Sequence, residues 1–168
     1  MRGHRVEDWA ACAALWGDSR VTRYIGGVPL TAEETWSRLL RYTGHWAMLD
    51  FGFWVVEERS TGAIVGEAGF ASYKRILEPP LEEIPEVGWA FTPSCHGKGY
   101  ATEATRAALA WGETHLETPR TCCLIHPENL PSIRVAQKCG FQEVRRASYK
   151  QQPTIVFHRP GAGAERGS

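Results

Sequence analysis

The segment from Glu86 to Ala104 constrains this chain more than any other. An apolar run that reads as a strand, Glu86 to Thr92, ends at Pro93; a turn spaced by Gly97 and Gly99 follows, and an alanine-rich stretch with helical spacing begins at once. Glycines at such a point let backbone N–H groups converge, and the start of a helix adds partial positive charge. Strand, turn and helix together make a receptor for a phosphate group. A phosphate receptor fed by an apolar strand implies a nucleotide-bearing cofactor lying across a sheet.

The rest of the chain limits what can surround that unit. At 168 residues it is long enough for one core and short of two, so a single domain is expected over 1–159. The remainder, 160–168, is rich in glycine and is expected to be a disordered tail. Nineteen basic side chains balance 19 acidic ones, so no global field favours nucleic acid or a membrane surface. No apolar run reaches the ~20 residues of a bilayer span, and the first residues lack the apolar core of a signal peptide. The five cysteines (Cys12, Cys95, Cys122, Cys123 and Cys139) are odd in number and form no C-x-x-C pair. That argues against a disulfide framework or a metal site and points to a cytoplasmic protein.

Periodicity supplies the elements. Val6 to Trp16 reads as a helix with Val6, Trp9, Ala10, Ala13 and Trp16 on its inner face, stopped by Gly17. A short helix capped by Asp18 or Ser19 runs to Tyr24. Thr31 and Glu34 form a capping box for a helix carrying Trp36, Leu39, Leu40 and Trp46. Phe51 to Glu57 and Ala63 to Tyr73 read as hairpin strands around the Thr61-Gly62 turn, and Leu77 to Pro85 as a proline-rich loop. Gly99 to Glu117 is a helix with Ala101, Ala104, Thr105, Ala108 and Trp111 facing inward, and Thr121 to Ile125 is a buried strand. Asn129 caps a helix from Leu130 to Lys138 with Gly140 in the left-handed stop position; Phe141 to Tyr149 and Thr154 to His158 close the domain as a hairpin. Hairpins at both ends with one strand–helix–strand unit between them define a mixed α/β (α+β) fold.

The order of elements, the His96-Gly-Lys-Gly-Tyr-Ala101 turn and the later segment from His126 to Phe141 resemble the GNAT superfamily of N-acetyltransferases. The resemblance covers roughly residues 4 to 158. Asn129-x-x-Ser132 followed by Lys138-x-Gly140-Phe141 is similar to the branch of ribosomal-protein N-terminal acetyltransferases RimJ and RimL. It implies a mostly antiparallel sheet of about six or seven strands, splayed at its centre and flanked by about four helices, with the first edge strand truncated here. It implies acetyl-CoA as acyl donor, with pyrophosphate on Gly97, Lys98, Gly99, Tyr100, Ala101 and Thr102. Pantetheine would lie alongside Trp89, Phe91 and Thr92, and Asn129 near the thioester. His96 stands where the family's Q/R-x-x-G-x-G/A loop more often has Gln or Arg.

Acetyl transfer from a thioester to an amine needs a neutral amine, a stabilised oxyanion and a proton for the leaving thiolate. Glu86 is the expected base. By strand alternation it shares a face with Gly88 and Ala90, small neighbours that leave room for a substrate. Glu67, among Gly66, Ala68 and Gly69, is the second candidate on the same logic. Ser132 is the expected proton donor by resemblance, with Tyr149 the alternative. The Cys95-His96 pair lacks a third orienting group and is set aside as a nucleophile–base couple. Gly97-x-Gly99-x-x-Thr102 lacks the third glycine of a dinucleotide fingerprint. A non-catalytic acyl-CoA-binding domain is the other reading, against which Glu86, Asn129 and Ser132 argue. The acceptor is expected to be a peptide N-terminus or a small amine. Four carboxylates between Glu78 and Glu86 would favour a cationic one. An exposed sheet edge allows a homodimer.

Overall fold

A computed structural model describes residues 1–161. Its six strands are β1 (Phe53–Glu57), β2 (Ile64–Ala71), β3 (Glu86–Phe91), β4 (Thr121–Ile125), β5 (Gln142–Tyr149) and β6 (Gln152–Arg159), ordered β1-β2-β3-β4-β6-β5 in one sheet. Every pairing is antiparallel except β3 with β4, the two strands joined by the crossover helix. The helices are α1 (Trp9–Trp16), α2 (Ser19–Thr22), α3 (Ala32–Leu49), α4 (Tyr100–His115) and α5 (Leu130–Lys138). Outside the named strands, Arg2 exchanges two backbone hydrogen bonds with Val55 on the β1 edge. Of the expected tail, Gly161 is buried and packs close to Pro119, while 162–168 lie outside the described residues.

The end signals act as expected. The Thr31 hydroxyl accepts from the Glu34 N–H (3.1 Å) and the Glu34 carboxylate accepts from the Thr31 N–H (2.8 Å). Asn129 caps α5, accepting from the Ser132 N–H at 3.3 Å, and Gly140 takes a φ of +85° just past its end.

Two helical faces differ from the sequence reading. Residues Val6–Asp8 form a 3-10 turn, after which α1 buries Cys12, Leu15 and Trp16. Val6 (71% exposed) and Trp9 (41%) stay outside. Three residues at about 120° each instead of 100° shift the buried stripe by roughly 60°. Asp8 fixes that turn by accepting from the Arg5 N–H and from both Arg2 terminal nitrogens, each at 2.7 Å. In α3 the buried positions are Thr35, Leu39, Tyr42 and His45, whereas Leu40 is exposed. The inner stripe there carries polar atoms that an apolar count passes over.

The sheet separates two cores. Phe70, Val87, Cys123, Ile125, Ile155 and Phe157 pack under α4 and α5. On the opposite face Tyr42 stacks on Phe53 (centroids 4.4 Å apart), and Leu15, Trp16 and Val21 cover Ala90. Of the expected α4 stripe, Ala104, Thr105 and Ala108 are buried, joined by Leu109 and Gly112; Ala101 and Trp111 are half-buried.

Candidate active site

The sheet opens where the crossover occurs. Strands β3 and β4 pair only at Glu86↔Cys122, beside a bond from the Cys122 N–H to the Pro85 carbonyl (3.1 Å). Beyond that point they diverge, leaving the β4-facing edge of β3 unpaired toward its C-terminal end. A strand rise of ~3.3 Å per residue puts the mouth of this cleft about 10 Å above its closed end.

The glycine turn lies at the mouth. Gly97 (φ +79°) and Gly99 (φ +84°) both occupy the left-handed region, and a Cβ at either would meet nothing within 4 Å. Their freedom therefore serves backbone shape and an open surface rather than packing. Among the described residues, the amides of Gly97, Gly99, Tyr100, Ala101 and Thr102 meet no acceptor, while Lys98 N–H bonds the Cys95 carbonyl (3.3 Å). The Tyr100 hydroxyl donates to Glu58 (2.7 Å), tying the helix start to the β1–β2 turn. Free amides at the head of a 16-residue helix form an anion receptor of the kind a pyrophosphate fits. Lys98 is exposed beside it. Trp89 is half-buried; Phe91 is buried with Val65, Ala68, Cys95 and Ala104, which leaves its main chain for a ligand. The Thr92 hydroxyl turns toward Ser94 and donates to the Cys95 sulfur.

At the closed end, Glu86 is buried and held by Arg75 in a two-pronged ion pair: Nε to Oε2 at 2.6 Å and Nη2 to Oε1 at 2.8 Å. Tyr73 and Tyr149 place their rings 4.5 and 4.6 Å from the Arg75 guanidinium carbon. The Glu86 carboxylate raises the Arg75 pKa against the opposing effect of burial. Sequence reasoning missed Arg75, which reaches Glu86 from a loop eleven residues upstream. The expected room over Gly88 is absent: a Cβ there would lie 2.8 Å from the Phe53 ring. Small residues on this face admit aromatic rings from the fold itself, and the approach to Glu86 runs past Tyr73 and Arg75. These two line, with Glu86, a cleft of about 330 Å³.

The same correction applies to Glu67. It is fully buried, its oxygens bonded to His4 Nε2 and to the Trp16 indole N–H, each at 2.8 Å. With Cys12 it forms a cluster of possible metal-ligand atoms lying within 4.8 Å of one another, drawn from positions too far apart for spacing to reveal. Burial and the neighbouring Glu67 push the Cys12 thiol up, away from the thiolate a metal requires. The carboxylate's partners are already in place, so the cluster is a satisfied hydrogen-bond network anchoring α1 to β2.

Ser132 is half-buried in the first turn of α5, and among the described residues its hydroxyl has no hydrogen-bond partner. Tyr24 stacks on His126 (5.3 Å) at the end of β4, so the region after α2 reaches the cleft mouth. Cys95 is buried while His96 is exposed, which separates that pair. The acidic loop is largely neutralised: Glu82 pairs with Arg120 (2.7 Å), Glu83 with Lys74 (3.2 Å) and Glu86 with Arg75.

A split mixed sheet with a glycine turn heading the crossover helix defines an acyl-CoA-type transferase fold, and comparison with known proteins gives it a family. The family model for the acetyltransferase (GNAT) domain matches residues 1–142, and the chain belongs to that family. It is 30% identical over 142 residues to the uncharacterized N-acetyltransferase YnaD of Bacillus subtilis, covering 84% of this chain and 78% of that one. A GNAT-family acetyltransferase structure from Bacillus anthracis superposes with a TM-score of 0.76 at 26% identity, covering 94% of this chain and 91% of that one. The spermidine N-acetyltransferase of Vibrio cholerae, solved with CoA and spermine, shares the fold (TM-score 0.72, 18% identity, 94% and 92% covered). The chain is therefore an acetyltransferase. None of its described helices is long and apolar enough to cross a membrane.

Proposed function

We propose that this protein moves an acetyl group from acetyl-CoA to a primary amine by direct attack on the thioester. The observation that carries the reading is the set of free amides at Gly97 and from Gly99 to Thr102, at the head of α4 where β3 parts from β4. The amides receive the pyrophosphate, and Lys98 adds charge beside them. Pantetheine follows the open edge of β3 past Thr92, Phe91 and Trp89. The Thr92 N–H is held by the Val65 carbonyl of β2, and by strand alternation the Phe91 and Trp89 N–H groups face the open edge, where they can polarise the thioester carbonyl and hold the oxyanion. Asn129 holds the head of α5, and the Ser132 hydroxyl gives its proton to the departing sulfur. Tyr149, engaged with Arg75 at the far end, is the less suitable acid.

Glu86 serves as base. Arg75 occupies one lone-pair position on each oxygen, leaving the others for a water that relays the amine's proton. Glu67 is shielded from any acceptor by His4 and Trp16. The acceptor is a peptide N-terminus or a small amine; likeness to RimJ and RimL motifs favours the first, and the small volume of the cleft beside Arg75 the second. Calorimetric titration with acetyl-CoA, followed by a free-thiol release assay on an amine panel, tests the proposal. Saturable binding with amine-dependent release is expected, and absence of binding overturns it.

A further inference from the structure

Arg38 is a cation in search of an anion. It projects from α3 with its guanidinium carbon 3.8 Å from the centre of the Trp16 ring, and its Nη1 donates to the Tyr42 hydroxyl at 3.0 Å. Its Nε is buried without a hydrogen-bond partner, and no carboxylate lies within ion-pair distance of it among the described residues. Glu67 is near enough to raise the Arg38 pKa, but its oxygens are committed to His4 and Trp16. A guanidinium has five donors; one goes to Tyr42, and those left without a partner cost free energy that an anion bound at the terminal nitrogens would recover in part.

The surroundings repeat the pattern. Tyr73 has the Arg41 guanidinium 5.3 Å and the Arg75 guanidinium 4.5 Å from its ring, and Arg38 acts on its phenol electrostatically. Arg75 is neutralised by Glu86, and Glu82 and Glu83 by cations of their own. On the side of the sheet that an acceptor approaches, Arg38 and Arg41 therefore have no ion-pair partner among the described residues, while the acidic loop expected to bind a cation is paired with cations of the protein itself. Its position also matters. Trp16, on which Arg38 rests, packs in one cluster with Ala90 of β3, which puts Arg38 on the side of the sheet that Glu86 faces by strand alternation.

We infer that the acceptor is an amine bearing its own carboxylate, an α-amino acid or close relative, and that Arg38 binds this carboxylate. A planar guanidinium receives a carboxylate through two parallel hydrogen bonds. The amine, one carbon away, is then held over β3 between Arg38 and the Glu86–Arg75 pair. A free polyamine is disfavoured by the same charges. The inference rests on the acetyl-transfer reading above.

The test compares free L-amino acids with their carboxamides and with short peptides of the same N-terminal residue, at saturating acetyl-CoA. Free amino acids are expected to exceed the matching amides in kcat/KM by about 10- to 100-fold, the worth of one charge-assisted hydrogen-bonded contact. Arg38→Gln should remove that preference through KM for the amino acid. Its KM for acetyl-CoA and its kcat/KM for the amides should stay as in the wild type, which also shows that the variant folds. Arg38→Lys should restore part of the preference. Amides or peptides used as well as free acids overturn the inference, as does a variant that lowers both classes alike. Turnover of no amino acid by a protein that binds acetyl-CoA does the same. Failure to bind acetyl-CoA would instead defeat the acetyl-transfer reading, and this inference with it.

Discussion

Substitution of Gly99 separates binding from folding more cleanly than any other change in this molecule. Its φ of +84° and ψ of −4° lie in the left-handed region, where an L-residue costs about 1–2 kcal/mol. A Cβ there would meet no protein atom within 4 Å, so no packing penalty is added. For a domain of this length, 1 kcal/mol corresponds to roughly 3 °C in Tm. Gly99→Ala should therefore lower Tm by about 3–6 °C and leave a cooperative transition. Gly99→Val should cost somewhat more, because a β-branched side chain tolerates the left-handed region less well. The effect on the ligand should be larger. The new side chain stands in the open space over the amides of Tyr100 to Thr102, and losing two charge-assisted hydrogen bonds to a phosphate predicts acetyl-CoA binding weakened by at least ~100-fold. Differential scanning calorimetry and isothermal titration on one preparation read the two quantities apart. A folded Gly99→Val protein with wild-type affinity for acetyl-CoA would refute the placement of the pyrophosphate on this turn.

Glu86→Gln should reduce turnover about 100-fold near neutrality and less at high pH, where the amine loses its proton unaided; a pH–rate profile parallel to wild type would remove Glu86 as base. Glu67→Gln leaves a donor facing His4 or Trp16 and should lower stability by about 2–4 kcal/mol with acetyl-CoA affinity unchanged, measured by urea unfolding and titration. Hydrogen bonding to Arg2 holds the Asp8 carboxyl below its ordinary 3.8. Its contribution to stability is thus complete above that pH and lost as pH falls through the lowered folded value, so Asp8→Asn should flatten the acid limb of the stability–pH curve. All five cysteines are buried and free, with Cys122 pushed up to about 12 by burial; a thiol reagent should label none in the native protein and five after denaturation.

What was legible in the sequence followed from local rules, and what was not depended on side chains meeting across the fold. The Thr31 box, the Asn129 cap, the glycines at 97, 99 and 140 and the β3–α4–β4 crossover all rest on backbone preferences within a few residues. Periodicity failed where a 3-10 turn changed the phase of α1 and where Tyr42 and His45 took core positions in α3. At the site, Gly88 and Gly69 signal close approach, and a sequence cannot tell approach by a ligand from approach by Phe53 or the Gly52 backbone. Arg75 was missed for a related reason: it reaches Glu86 from a loop outside the strand, and Arg38 likewise lies on α3, outside the motifs of the site proposed for it.

The separation of the two proposed proton-handling groups follows from the split in the sheet. Glu86 lies at the closed end, where β3 still pairs with β4, and Ser132 lies beyond the last residue of β4 at the mouth. Three residues of strand and a turn stand between them, so they are more than about 10 Å apart. No single side chain could take the amine's proton and return it to the sulfur over that span. In the proposed reaction the amine would sit toward Glu86 and the sulfur toward Ser132, with the carbonyl between them against the open edge of β3. The proposed pyrophosphate site at the glycine turn gives the same polarity, because a cofactor anchored at the mouth would descend toward Glu86. It also sets the acceptor's route, since α4 and its core fill the far face behind Val87. On this proposal the amine arrives over Tyr73 and Arg38, and Arg38 has no ion-pair partner among the described residues. The carboxylate inferred for the acceptor would then meet the Arg38 donors before Glu86, as the proposed base, acts on the nitrogen.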